Sequence, residues 1–472
     1  MPNPRGSGSN LSNLTLVSTD PFMNPSSQHA TEVEPSMTSF QTTIVATFQV
    51  GRFFVAGSSD IGLATSHNGG ASWISGYLPG TTIYAQPAGT FDSVSDPVVA
   101  YDASHGTWLI ASLPILFNGA PAPAVLVSRS TDGITWSQPV AVAPGQVSSD
   151  KEWIACDNSI ASPFYGHCYV QWDDPVANGV IHISRSTDGG ASWSAPANTA
   201  GNATGIAGQP LVQPNGTVVI PIDDFNEFNV LAFVSHDGGA TWMAPVTVST
   251  ISVHFVGGNL RSGPLPSAAM DASGKVYLVW QDCRFRAGCS ANDLVLSTST
   301  NGTQWSAPAQ IPIDLVTSGR DHFIPGISIA PGTSGAAAHI GLTYYYYTDS
   351  ACSGGGACQL NAGYIASHDG GTTWSNPTTV AGPISSAWLP HTDQGVMVGD
   401  YIASTFVGSE PFGVFSIASA PVGGFFEQAM YASRIGALPT AASARRLTST
   451  ARPIPGAHSD FYHRLRPPYD SD

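Results

Sequence analysis

The stretch SHNGGASW at Ser66–Trp73 is repeated almost unchanged as STDGGASW at Ser186–Trp193, SHDGGATW at Ser235–Trp242 and SHDGGTTW at Ser367–Trp374. Shortened copies read STDGITW at Ser130–Trp136 and STNGTQW at Ser299–Trp305. Successive tryptophans of the six copies lie 63, 57, 49, 63 and 69 residues apart, a period that suits one small antiparallel sheet per repeat. The chemistry of the copy is that of a fixed turn. Asp or Asn caps the backbone N–H groups that follow it, glycine takes the positive-φ position, and tryptophan anchors the turn against its sheet.

Working outward, each copy is preceded and followed by short alternating runs. Around the second copy these are DPVVAYD at Asp96–Asp102, TWLIASLPI at Thr107–Ile115, AVLVSRS at Ala124–Ser130 and WSQPVAV at Trp136–Val142. The pattern predicts four strands per repeat, with the conserved-looking turn between the third and fourth. After the sixth copy, MVGDYIASTF and FGVFSIASA (397–420) form a further unit without its own turn motif. LTLVS at Leu14–Ser18 is placed to supply that unit's outer strand. The expected fold is all-β: a single β-propeller of four-stranded antiparallel blades, seven in number, with six as the alternative if residues 397–433 only complete a smaller ring. The expected organisation is an N-terminal extension (1–29), the propeller (30–433) and an Ala/Arg/Pro-rich flexible tail (434–472).

Composition narrows the function. The 472 residues hold 16 Lys and Arg against 32 Asp and Glu, a formal charge of −16. The tail carries six of the fourteen arginines and three acids, leaving ten bases against twenty-nine acids before it. A body this acidic lacks the basic stripe that a nucleic-acid partner requires. With two lysines, Lys151 and Lys275, and no phosphate-cradling glycine motif, nucleotide chemistry is not indicated. The six cysteines fall in three close pairs, Cys156 with Cys168, Cys283 with Cys289 and Cys352 with Cys358. Local disulfides suit these spacings better than a zinc site, which would want CxxC pairs or nearby histidines, and they imply an oxidising, extracytoplasmic location. Neither a signal peptide nor an eighteen-residue apolar span occurs in the given chain, so a secreted protein without a transmembrane segment is expected.

The repeated SxDxGxxW motif resembles the Asp-box, or bacterial neuraminidase repeat, of the sialidase superfamily, over roughly residues 30–430. The resemblance implies a sialidase-like propeller with its site on the face remote from the boxes. It also implies an arginine clamp for a carboxylate, a tyrosine nucleophile assisted by a glutamate, and an aspartate acid/base. The Arg-Ile-Pro segment that usually precedes the first box is absent, and Arg52 lies in GRFF instead.

With the boxes in the turns between third and fourth strands, the inner-strand starts and the loops from second to third strand share the opposite face. That topology nominates Glu34, Asp96, Glu152, Asp321 and Tyr401 as catalytic groups, since glycoside hydrolysis needs paired carboxylates or an assisted tyrosine. It nominates Arg261, Arg284, Arg286 and Arg320, with His322, as contacts for an anionic substituent. Salt bridges to Asp282, Asp293 or Asp321 are the rival reading for the arginines, and strand-start capping is the rival for Glu34-Pro35 and Asp96-Pro97. Asp223, Asp224 and Glu227 offer hard oxygen ligands for one structural calcium; no other cofactor is expected. The leading functional expectation is a secreted, sialidase-like glycosidase acting on a terminal, acidic sugar of a glycan or glycoconjugate. The alternatives are a non-catalytic carbohydrate- or protein-binding propeller and a structural surface protein.

Overall fold

A computed structural model describes residues 14–146, 148–349, 352, 358–436 and 445–446. Among these, strands dominate and the only helical pieces are 3₁₀ turns of three residues. Among the described residues, no helix is long and apolar enough to cross a membrane.

The strands fall into successive antiparallel sets, each folded as a meander. The first comprises Glu32–Phe40, Thr43–Arg52, Ser58–Ser66 and Ile74–Tyr77. The next sets begin with the inner strands Ser93–Asp102, Asp150–Cys156, Leu211–Val212, Ser267–Met270 and His322–Ile329. A last set holds Ala403–Val407, Glu410–Val422 and Phe425–Arg434, and its fourth strand is Leu14–Leu16 from the other end of the chain. The molecule is an all-β propeller. The expected flexible tail, 434–472, lies outside the described residues except for 434–436 and 445–446, of which Arg445–Arg446 pairs with Thr373–Trp374.

Alternation places one side of each sheet against the next. Tyr345 and Tyr347 join a cluster with Phe415 and Ile417, whereas Tyr344 on the opposite face of the same strand joins Leu296, Ile340 and Trp374. Between neighbouring inner strands, polar side chains replace backbone pairing. Val99 N–H donates to Ser36 Oγ at 3.3 Å, Ala268 N–H to Gln209 Oε1 at 2.8 Å, and Ile327 N–H to Ser267 Oγ at 3.1 Å. These bonds satisfy edge donors that a closed meander would otherwise leave buried without a partner.

The turn motif behaves as its residue types require. At Ser367–Trp374, Gly371 N–H donates to Ser367 Oγ at 2.9 Å, Thr373 N–H and Oγ1 donate to Asp369 at 2.7 Å each, and Trp374 Nε1 donates to Gly371 O at 3.1 Å. The shortened copy at Ser130–Trp136 keeps the same bonds to Ser130, Asp132 and Gly133. Burial alone would raise Asp132, but the Thr135 and Ile134 amides outweigh it and hold the carboxyl at about 2. Every copy follows directly on a third strand, so all six share one face. All three expected disulfides, Cys156–Cys168, Cys283–Cys289 and Cys352–Cys358, are formed.

Candidate functional site

At the inner-strand starts, on the face away from the boxes, the ladder breaks in a repeated way. The register slips between Val33 and Ser36, Ser95 and Val98, Asp150 and Trp153, and Phe323 and Gly326. At each slip one residue takes a left-handed conformation: Glu34 at φ 56°, Asp96 at 50°, Lys151 at 46° and Ile324 at 50°. Glu34, Asp96 and Ile324 each precede a proline, which disfavours compact backbone at that residue as well. Strain of about 1–3 kcal/mol per residue is usual for such positions and persists where the surroundings fix them. Here the bulges turn Glu34, Asp96 and Lys151 from three different sets toward one another.

Lys151 is the centre of that meeting. Its Nζ lies 3.3 Å from Glu34 Oε1, 3.0 Å from Asp96 Oδ2 and 2.6 Å from Asp400 Oδ2. Arg261 pairs with Asp400 through both Nε, at 2.7 Å, and a terminal nitrogen. Gln49 donates to Glu34 and, at 3.2 Å, to Ser95 Oγ, which in turn donates to Asp96 at 2.6 Å. Arg52 stands behind, donating to the carbonyls of Phe53 and Gly57 at 2.9 and 2.6 Å. None of these side chains is exposed.

Burial and mutual charge split the acids. Burial raises Glu34 far above an ordinary carboxylate, with Asp96 adding to the rise. Burial would raise Asp96 too, but Lys151 brings it below its ordinary value, and Arg261 and Lys151 do the same for Asp400. Glu152 is raised by burial and by Asp96, and neither of its carboxylate oxygens has a hydrogen-bond partner. Tyr401 is raised by burial and then by Glu34 and Asp96; its hydroxyl donates to Pro97 O at 3.3 Å and its ring stands edge-on to Trp153 at 5.4 Å. A phenol so placed resists forming the phenolate that a nucleophile needs.

Of the nominated catalytic groups, the structure thus brings together Glu34, Asp96, Glu152 and Tyr401. Asp321 belongs to a different cluster, where it accepts from Asn292 N–H at 2.7 Å and meets His254 at 3.1 Å. The nominated arginines are distributed rather than convergent. Arg261 joins the Lys151 cluster, Arg284 pairs with Asp282, Arg286 lies between Asp293 and Asp314, and Arg320 is exposed. His322 stacks on Tyr346 and faces Asp314 at 3.6 Å. Of the nominated arginines, the three buried ones, Arg261, Arg284 and Arg286, each meet a carboxylate, and removing one partner of such a pair costs on the order of 3–5 kcal/mol. Asp293, Asp314 and His322 approach closely enough to suit a metal, yet the Arg286 guanidinium already supplies the cation there.

Among the nominated metal ligands, Asp224 accepts from Asn226 N–H, Phe228 N–H and Asn229 Nδ2 at 3.0, 2.9 and 2.6 Å, so it shapes its own loop. Asp223 is buried, has no hydrogen-bond partner at either carboxylate oxygen, and is raised by burial and then by Glu227. Sequence reasoning placed Asp400 at an inner-strand start without giving it a role, and left Lys151 and Gln49 unassigned. Their signal is positional: Lys151 and Asp400 occupy the inner-strand starts equivalent to Glu34 and Asp96.

Around this closed cluster the loop face carries several exposed rings. Phe54, Phe117 and Phe228 in second-to-third-strand loops, Phe255 in a linking loop, and Phe425 at a hairpin are all exposed. Phe53 bridges Tyr84 and Phe117 at 6.2 Å each, and His29 lies 5.5 Å from Phe425.

Fold and turn chemistry together describe an all-β propeller whose sheets carry Asp-box-like turns. Residues 164–326 match the family model described as a BNR repeat-like domain. Among solved structures, the chain is similar to a protein of unknown function from Dyadobacter fermentans, at 15% identity and TM-score 0.45, covering 90% of this chain and 98% of that one. It is similar to the Hadza microbial sialidase Hz136, at 14% identity and TM-score 0.42, covering 86% and 67%. Similarity to the NanB sialidase of Streptococcus pneumoniae is at 12% identity and TM-score 0.42, covering 90% and 71%. No curated protein sequence matches the chain.

Proposed function

We propose that the protein is a secreted propeller that binds glycans or glycoconjugates through its loop face, with the strand sets serving as seven blades. The observation that carries this reading is the set of exposed rings, Phe54, Phe117, Phe255 and Phe425, surrounding an ion cluster that is itself closed. Sugar rings present C–H faces that suit aromatic side chains, and exposed apolar patches of this kind mark binding surfaces. The three disulfides support an oxidising compartment. The acidic body favours neutral sugars over polyanionic ones.

A second reading, exo-acting glycoside hydrolysis, draws on the opposite shifts of Glu34 and Asp96, since an acid and a base held apart in affinity for protons are what such chemistry uses. Against it, Lys151 occupies the space between those carboxylates. The two readings separate in one experiment that combines a glycan array with chromogenic exo-glycosides. Binding without sugar release, weakened about tenfold by Phe54→Ser together with Phe117→Ser, supports the first. Sugar release abolished by Asp96→Asn establishes the second. Silence in both assays overturns both.

The expected calcium belongs to the same proposal, held by Asp223 and Glu227 with carbonyl oxygens of their loop. It predicts a calcium-dependent rise in melting temperature that Asp223→Asn removes; identical melting in calcium and in chelator excludes it.

A further inference from the structure

A second cavity lies on the opposite side of the Lys151 cluster. It measures about 270 Å³ and is walled by inner strands of every set, from Met37 and Val98 through Ile154 and Leu211 to Ile327 and Ala403. At its inner end a smaller cavity of about 20 Å³, room for one water-sized group, is walled by Glu152, Lys151, Asp400 and Tyr401. Trp153, Gln209, Ser267 and Ile402 are walls of both, so the two spaces adjoin. A central channel therefore runs along the inner strands toward the acidic cluster, remote from the phenylalanines of the loop face.

Three features describe what fits there. The wide part mixes apolar and polar walls, the rings of Trp153 and Tyr101 standing beside Ser36, Asn158, Gln209 and Ser404. The narrow end holds Glu152, 1% exposed, with neither carboxylate oxygen hydrogen-bonded. Five acids, Glu34, Asp96, Asp150, Glu152 and Asp400, crowd around Lys151, Arg261 and Arg52, and burial raises Glu34, Asp150 and Glu152 above their ordinary values. Lys151 forms ion pairs with Glu34, Asp96 and Asp400. A buried carboxyl without a donor is costly to maintain, and a charged donor is its strongest partner.

We propose that this channel is a binding site for a small organic ammonium, a primary amine on a short apolar body. The ammonium donates to Glu152 at the narrow end, and the body lies against Trp153, Ile154 and Ile327 in the wide part. Trp153, at the junction, contributes its ring face to the cation.

The test uses the full chain with n-butylammonium as probe and n-butanol as its uncharged counterpart, followed by calorimetry and tryptophan fluorescence. Butylammonium is expected to bind at millimolar concentration and butanol not. Glu152→Gln should weaken the amine by about tenfold or more, the loss of one charge-assisted bond. Ala403→Phe, which narrows the wide part without touching the cluster, should weaken it as well and serves if the Glu152 variant does not fold. Absence of binding to the native chain, equal binding of butanol, or full binding by a folded Ala403→Phe variant overturns the site. Phe54→Ser with Phe117→Ser should leave amine binding intact, so failure of the loop-face reading and failure of the channel are distinguishable.

Discussion

At the scale of single residues, the stability of the core depends on Lys151. Three carboxylates from three parts of the chain meet its ammonium, and nothing near it is solvated. Lys151→Met removes the shared cation and leaves the acids to repel one another. The expected loss is about 3–5 kcal/mol in chemical denaturation, and a loss below about 1 kcal/mol would show that the acids are held neutral regardless of the lysine. The boxes give a gentler comparison. Asp369→Ala removes two bonds from Thr373 on a half-open turn and should cost about 1–2 kcal/mol, whereas Trp374→Ala, which empties a fully buried indole site, should cost about 3–5 kcal/mol.

The same residues mark what could be seen beforehand. The boxes were legible because their bonds are local: Ser, Asp, Gly and Trp within eight positions satisfy one another, so sequence spacing is spatial spacing. Glu34, Asp96, Glu152 and Tyr401 were legible as neighbours because topology puts inner-strand starts together. The choice of Lys151 as their common partner was not, since it depends on a bulge that gives a lysine a left-handed φ. Nor was the separation of Arg284, Arg286 and Arg320 from Arg261. Adjacent sets bring these arginines near one rim, but the nearest acid, Asp282 for Arg284 and Asp293 for Arg286, decides where each guanidinium points.

At the scale of elements, the strand Leu14–Leu16 carries more than its length suggests. It covers the outer edge of Phe425–Arg434 through the pairs Leu14 with Ser433, Thr15 with Ala432 and Leu16 with Tyr431. Just beyond it, Ser18 Oγ and Glu32 both accept from Met430 N–H at 2.8 Å, and Ser18 donates to Glu32. Removing residues 1–18 uncovers a strand edge and leaves Glu32 with one donor fewer. Such a truncation should lower the melting temperature and promote edge-to-edge association, measured by calorimetry and by sedimentation; an unchanged monomer of unchanged melting temperature would show the strand to be dispensable.

For the molecule as a whole, buried acids set the pH response. Glu32 is raised to about 8, by burial above all and despite the bonds from Ser18 and Met430, and Asp60 to about 7 by burial despite Thr81 and Ile61. The folded chain therefore keeps protons that the unfolded chain releases, and stability falls as pH rises from the ordinary carboxylate range toward those values. In the opposite sense, burial lowers His167, His322 and His368, so protonating them below their ordinary 6.5 costs stability, and the capped Asp132 and Asp237, held at about 2, lose theirs below the ordinary 3.8. Melting temperature should peak at about pH 5–6 and decline toward pH 8. Glu32→Gln should flatten the alkaline side of the profile; a profile that climbs steadily to pH 8 would contradict the neutral burial of these acids.

The pairing of Leu16 with Tyr431 also fixes an order of events in time. A ribosome adding about 5–20 residues each second needs on the order of 20–80 s to travel from one to the other. Throughout that interval the strand Leu14–Leu16 lacks the partner it has in the fold, and Glu32 waits for the Met430 amide. Completion of the last strand set thus waits until residues 425–434 have been made, and a nascent chain arrested before residue 425 should remain sensitive to protease at Leu14–Leu16 while the sheets between are already resistant.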